Sequence, residues 1–72
     1  MDSTPHFLAD VRPIPPLMTR EAFAAAVGLE AGVVIAQCER GYWPVITIGK
    51  RVLVNVEAIR VLAAQKAKEF VL

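Results

Sequence analysis

The sequence predicts one small domain that is mainly α-helical and carries a single two-stranded β-hairpin. Three observations support this fold class: two short helical segments meet at a glycine, two β-branched runs flank a Gly-Lys pair, and a long helical segment follows. The chain has 72 residues, and domains rarely fall below about 50, so a second domain is excluded. Hydrophobic residues make up 56% of the chain and can supply a compact core.

The first sixteen residues differ in composition from the rest of the chain. Four of them are prolines, which remove backbone donors and favour extended conformations. We therefore expect residues 1–16 to form an irregular N-terminal arm and residues 17–72 to form the folded domain. Apolar residues offer the arm an attachment to the domain or to a neighbouring molecule; they are Phe7, Leu8, Val11 and Ile14.

Two short helices are predicted after the arm. Thr19 is a suitable N-cap for the first, which covers residues 22–27 and ends at Gly28. Phe23 and Val27 are spaced i and i+4, so we expect them to form its buried side.

The second helix is predicted over residues 31–40 and ends at Gly41, a residue that readily adopts the left-handed conformation. So tight a connection between the helices requires a steep crossing angle. We expect Val34 and Cys38 to face inward and Leu29 to fill the corner between the helices.

A β-hairpin is predicted next. Residues 45–48 and 51–54 are rich in β-branched side chains, and Gly49 with Lys50 suits a two-residue turn with a positive φ at its first position. We expect Tyr42 and Trp43 to pack at the foot of this hairpin, rather than to stack on a base or sugar.

A last helix is predicted from Val56 to about Glu69, with Asn55 as its N-cap. Acidic Glu57 in the first turn and basic residues near the end both match the helix dipole. The predicted buried stripe of this helix consists of Val56, Ile59, Leu62, Ala63 and Phe70.

Charge is distributed unevenly between the two halves of the chain, although the net charge is only +1. Residues 1–39 carry two basic and five acidic side chains, whereas residues 40–72 carry six basic and two acidic ones. This asymmetry favours an anionic partner such as a nucleic acid, but it is equally typical of a solvated surface.

Helix, turn, helix and hairpin in this order form the plan of a winged helix-turn-helix domain. Particular positions sharpen the comparison; they are residues 21–24, Gly28, Val34, residues 39–46, residues 48–51, Val54, Ile59 and Leu62. Over residues 17–62 the chain resembles the small excisionase and MerR-like DNA-binding domains, and most closely the Cox-type excisionase regulators of temperate phages. The joint spacing of Gly28, Gly41, Pro44 and Gly49 is the most specific part of this resemblance.

The resemblance implies that the second helix lies in the major groove and that the hairpin, or wing, reaches the flanking backbone or minor groove. The groove-facing positions would then be Gly32, Val33, Ile35, Ala36 and Glu39. Relatives usually present arginines or other polar side chains near Ile35 and Ala36. Aliphatic residues cannot form bidentate hydrogen bonds to bases, so we expect contacts to thymine methyl groups and thin sequence readout.

Polar and basic side chains complete the expected DNA-binding set. Gln37 is placed to reach a base or a phosphate. Lys50 and Arg51 at the wing tip are placed for phosphates or a narrow minor groove, with Arg40 and Arg20 as further backbone contacts. The alternative interpretation of the wing-tip cations is that they are solvated turn residues protecting an edge strand.

The function implied is that of a phage or prophage regulator that binds repeated DNA sites cooperatively, favours excision by an integrase and regulates nearby transcription. Its partners would be double-stranded DNA, further copies of itself and a phage integrase. The alternative is a winged-helix interaction module, for example an antirepressor, that binds a partner protein through the apolar second helix.

Other classes of function find no support in the sequence. No second histidine, glycine-rich nucleotide loop or paired-carboxylate cleft is evident, so we expect no enzyme activity and no cofactor. His6 and Cys38, the single histidine and cysteine, cannot form a four-ligand zinc site. The apolar runs are too short to span a membrane, no signal peptide is evident, and one cysteine suits a reducing cytoplasm.

Overall fold

The structure is a computed structural model that describes residues 14–70. These residues form a mixed α/β domain of three helices and a three-stranded antiparallel sheet. The elements in chain order are β1 (Leu17–Thr19), α1 (Arg20–Val27), α2 (Ala31–Glu39), β2 (Val45–Ile48), β3 (Arg51–Asn55) and α3 (Val56–Glu69). Most of the predicted arm, with His6, Phe7, Leu8 and Val11, lies outside the described residues.

The sheet corrects the predicted fold class, because it contains a third strand besides the hairpin. Its strand order is β1-β3-β2, with Leu17 opposite Asn55 and Thr19 opposite Leu53. Three residues between a proline-rich segment and a helix N-cap are too few to show the alternation that identifies a strand. The domain is therefore mixed α/β, not a mainly α-helical domain with an isolated two-stranded wing.

The two predicted N-caps are confirmed. The Thr19 hydroxyl accepts a hydrogen bond from the backbone N–H of Ala22 at 3.0 Å, and the Asn55 side-chain carbonyl accepts one from the N–H of Ala58, also at 3.0 Å. The carbonyl of Pro16 accepts hydrogen bonds from the first N–H groups of α3. These bonds attach the chain before β1 to the start of the last helix.

Helices α1 and α2 differ in direction by 120°, as the tight connection predicts. Gly28 ends α1 with a φ of 79°, a left-handed conformation in which a glycine is not strained. The corner itself is closed by Ala24, which is buried. The prediction that Leu29 fills this corner is therefore wrong, because 41% of this residue is exposed.

The core is small and lies where α1, α2 and β3 meet. Its buried members are Phe23, Ala24, Val34, Cys38 and Val54. The inward positions predicted for α2 are confirmed, but Val27 of α1 is half exposed. Ala24 is buried instead of Val27, because the side of α1 that contains Ala24 faces α2.

Trp43 packs at the foot of the hairpin, as predicted, but the same prediction is wrong for Tyr42, which is 67% exposed. The ring of Trp43 lies edge-to-face against Phe23, with 4.9 Å between the ring centroids. The indole N–H donates a hydrogen bond of 2.8 Å to the side-chain carbonyl of Gln37. One aromatic side chain thus connects α1, α2 and the start of β2.

The predicted hairpin is confirmed in its strands and its turn. Ile48 pairs with Arg51, so Gly49 and Lys50 form the two-residue loop. Gly49 has a φ of 62°, whereas Lys50 is not among the residues with positive φ. This combination fits a type II′ turn, in which only the first central residue needs a positive φ.

The predicted bounds of α3 are confirmed, but its buried stripe is wrong beyond the second turn. Val56 and Ile59 pack against the core, whereas Leu62, Ala63 and Phe70 are exposed. Among residues 14–70, no residue covers the C-terminal half of this helix, and residues 61–69 are all exposed.

Candidate nucleic-acid interface

Three of the predicted DNA-binding cations lie around one cleft of about 190 Å³. Arg20 comes from the first turn of α1, Lys50 from the hairpin loop and Arg51 from the start of β3. We call this the basic cleft and define it by these three residues. Thr19 and Glu21 also line it, so the N-terminus of α1 opens into the same space.

The register of β1 explains why residues thirty positions apart in the sequence meet here. Thr19, the last residue of β1, lies opposite Leu53, and Arg51 is only two residues earlier on β3. Two strand residues span about 7 Å, which is within reach of an arginine side chain. Helix α1 therefore begins beside the loop that joins β2 and β3. All three cations are predicted from the sequence, but their proximity is not, because it depends on the pairing of β1 with β3 and β1 is not predicted.

The charge of the basic cleft is not neutralised within the described part of the chain. The salt bridges recorded there join Glu57 to Arg60 and Lys66 to Glu69, all on α3. Glu21 is the single acidic residue lining the cleft, against three cations. The N-terminus of α1 adds partial positive charge, since its first N–H groups point out of the helix.

Arg60, unlike the cations of the basic cleft, is paired with a carboxylate of the described chain. Its guanidinium group forms hydrogen bonds of 2.6 and 3.2 Å to the Glu57 carboxylate. That hydrogen bonding is the main reason that the pKa of Glu57 lies below its ordinary value. The cleft cations make no such contact with a carboxylate among residues 14–70.

The predicted groove-facing residues of α2 do not line the basic cleft. Val34 and Cys38 face the core, so the opposite side of the helix presents Gly32, Ala36 and Glu39. Gly32 and Glu39 are exposed, as is Val33 beside them, whereas Ile35 and Ala36 are half buried. This outward surface consists mainly of small and aliphatic side chains and carries no basic group within the helix, and Glu39 gives it a negative charge at its C-terminal end.

Gln37 and Arg40 lie nearer the end of α2. The Gln37 side-chain carbonyl accepts the Trp43 hydrogen bond, which orients the amide, and its N–H₂ group can still donate to a base or phosphate. Arg40 is exposed and follows the last residue of the helix. Its backbone N–H group donates a hydrogen bond to the carbonyl of Ala36, which continues the last turn of the helix.

Cys38 shows the character predicted for a small buried hydrophobe. Burial raises the pKa of its thiol, and the charge of Arg20 opposes that effect only in part. A thiol that is harder to ionise is a poor nucleophile.

Neither backbone conformation nor packing among the described residues requires a glycine at position 32. A Cβ atom built there would meet nothing within 4 Å, and its φ is not positive. A glycine inside a helix costs about 0.5–1 kcal/mol relative to alanine. We therefore expect Gly32→Ala to stabilise the domain by that amount and to raise Tm by roughly 2–8 °C, measured by circular dichroism.

The matched control for this substitution is Gly28→Ala. A Cβ atom at Gly28 is equally free of contacts, but its φ of +79° is unfavourable for alanine. This variant should therefore melt at a lower temperature than the wild type. A lower Tm for Gly32→Ala as well would show that Gly32 serves the folded monomer after all.

No group of three or more potential metal-ligating side chains occurs among residues 14–70. No single helix in that range is long and apolar enough to cross a membrane, although α1 and α2 meet the length and composition criteria when they are counted together as a bent pair. Comparison with protein families, characterised proteins and solved structures finds no match to this chain.

Proposed function

We propose that the chain is a DNA-binding protein of the excisionase type, built as a winged helix-turn-helix whose β2-β3 hairpin is the wing. The observation that carries this proposal is the basic cleft. Arg20, Lys50 and Arg51 surround one opening, beside a helix N-terminus, and none of them is paired with a carboxylate of the described chain. Such a site suits phosphate oxygens, which duplex DNA presents at intervals of about 1.7 Å along its axis.

The outward side of α2 supports a role in a groove. Gly32 and Ala36 have the smallest side chains available, so the helix axis can approach base edges or the sugar-phosphate backbone closely. The same residues offer no donor or acceptor that discriminates between bases. Binding should therefore depend mainly on phosphate contacts and DNA shape, with methyl contacts from Val33 and Ile35 as a minor contribution.

In this proposal the protein has an architectural role, like the family that it resembles. It binds repeated sites in a prophage or phage genome, favours excision by an integrase and regulates adjacent promoters. It acts in the cytoplasm, without a cofactor and without chemistry of its own. Few phosphate contacts give weak binding at physiological salt, so cooperative assembly of several copies on DNA provides the affinity.

The test is how binding to a labelled duplex of about 12 base pairs, short enough to hold one copy, depends on salt concentration. Each phosphate contact adds about 0.9 to the slope of the logarithm of the binding constant against the logarithm of the salt concentration. Removing two cations with Lys50→Ala and Arg51→Ala should weaken binding at low salt. In fluorescence anisotropy titrations it should also lower the slope by about 1.8.

The matched control is the double variant Lys66→Ala, Lys68→Ala. It removes the same charge from α3, away from the basic cleft, and should leave the slope unchanged. Equal loss of slope in the two double variants would refute the site. Failure of the wild-type protein to bind any duplex at low salt would refute the proposal itself.

A second candidate function is suggested by the exposure of Leu29 and Val33. These side chains form an apolar surface at the start of α2, a helix that contains no basic residue. An interaction module or antirepressor would use this surface to bind a partner protein. The absence of DNA binding at low salt, with the fold intact, would favour this candidate over the first.

A further inference from the structure

An apolar groove of about 370 Å³ lies between α1 and α3. Its walls are formed by Met18, Phe23, Ala26, Val27, Val56 and Ile59. Two charged residues also line it, Glu57 and Arg60, and their side chains pair with each other. Water in such a groove finds few hydrogen-bond partners, so an apolar side chain is favoured there over water.

The described part of the chain begins at the edge of this groove. Ile14 and Pro15 line it, and Ile14 is 72% exposed. The carbonyl of Pro16 accepts hydrogen bonds from the backbone N–H groups of Val56 and Glu57, at 2.9 and 3.2 Å, and both of these residues line the groove. The N-terminal arm is therefore attached to the domain beside the opening of the groove.

The N-terminal arm contains an apolar run, residues 7–11, that is interrupted only by Asp10. Alternate residues of an extended segment share one side, so Phe7, Ala9 and Val11 would form an apolar side with Asp10 opposite. A segment with one apolar side and one polar side suits a groove that has apolar walls and an open mouth.

We propose that residues 7–11 of the chain's own N-terminal arm occupy this groove, in an extended conformation with Phe7 and Val11 against its walls. The attachment at Pro16 makes the contact intramolecular, with an effective concentration of the order of millimolar. Three prolines between residues 13 and 16 restrict the intervening backbone, which lowers the entropy lost on docking. The arm then extends the small core of the domain on the side where α1 and α3 leave it open.

The arm is long enough to fill the groove. Phe7 lies seven residues before Ile14, and seven extended residues span at most about 25 Å. The part of α1 that lines the groove, from Phe23 to Val27, rises by only about 6 Å. Phe7 can therefore reach the far end of the groove even if the chain does not follow a straight path.

The first experiment is thermal unfolding of the full chain, measured by circular dichroism. Because the contact is intramolecular, Tm should be the same at about 20 μM and about 500 μM protein. Phe7→Ser with Val11→Ser should lower Tm by at least about 5 °C, since two apolar side chains lose their burial. The matched control is Leu8→Ser, on the other side of the extended segment, which should change Tm by no more than about 2 °C.

Three outcomes of the melting experiment would overturn the proposal. An unchanged Tm for the Phe7 and Val11 double variant would show that the arm is not docked. An equal loss for Leu8→Ser would exclude the extended arrangement. A Tm that rises with protein concentration would identify a second copy, not the arm, as the occupant of the groove.

A second experiment locates the arm on the domain. Val27 lines the groove and is half exposed, so Phe7→Ser and Val27→Ser remove the same contact, and together they should lower Tm by less than the sum of their separate effects. Val33→Ser is the matched control, because Val33 is exposed to a similar extent on α2, away from the groove, and its effect should add to that of Phe7→Ser. Additive effects for Val27→Ser as well would place the arm elsewhere and refute the proposal. Since no DNA is present, failure here leaves the DNA-binding proposal untouched.

Discussion

Val34→Asp is expected to leave the chain largely unfolded at 25 °C. Val34 is 0% exposed and is one of five buried residues among those that the structure describes, where α2 meets α1 and β3. A domain of this size has a free energy of unfolding of only about 3–8 kcal/mol. An unpaired buried carboxylate costs several kcal/mol, in addition to the lost apolar contacts, so the substitution removes most or all of this stability.

The neighbouring substitution Val33→Asp provides the matched control. Val33 is 42% exposed and lies in the first turn of α2, where an acidic side chain interacts favourably with the helix dipole. This variant should retain the far-UV circular dichroism spectrum and a Tm within a few degrees of the wild type. Similar melting curves for the two variants would mean that α2 does not pack with Val34 inward.

The features predicted correctly from the sequence are those decided by local chemistry. Thr19 and Asn55 cap helices through side-chain hydrogen bonds within three residues. Gly28 and Gly49 adopt positive φ because each ends or turns an element locally. These signals depend on a few neighbouring residues, so they can be read without knowledge of the tertiary fold.

The wrong predictions share a different cause. Strand β1 has only three residues, and its pairing partner lies more than thirty positions away. Leu29 and Leu62 were expected to be buried because of their hydrophobicity and spacing, but periodicity identifies one side of a helix and not what covers it. In a domain with few elements, much of that side remains exposed.

The residues of the candidate site could be predicted from local signals, but their arrangement could not. Lys50 and Arg51 could be identified from a Gly-Lys turn, and Arg20 from its place at the start of a helix. That these cations share a cleft depends on the pairing of Thr19 with Leu53, which no local signal reveals. Likewise, Gln37 and Trp43 are six positions apart in the sequence, and no local signal indicates that their side chains form a hydrogen bond.

Phe23→Ala is expected to lower the free energy of unfolding by about 3–5 kcal/mol. The Phe23 ring is buried, packs edge-to-face on Trp43 and forms part of the groove between α1 and α3. Truncation removes core volume, and also an aromatic contact worth about 0.5–1.5 kcal/mol. Phe23→Leu keeps most of the volume and loses the aromatic contact, so it should cost about 1 kcal/mol.

Urea unfolding followed by Trp43 fluorescence measures both effects, because Trp43 is the single tryptophan of the chain. Tyr42→Ala is the control, since this neighbouring aromatic side chain is exposed and its loss should change stability by no more than about 0.5 kcal/mol. If Phe23→Ala cost no more than Tyr42→Ala, the contact between Phe23 and Trp43 could not be what connects α1 to the hairpin. The position of Arg20 beside Lys50 would then depend on β1 alone.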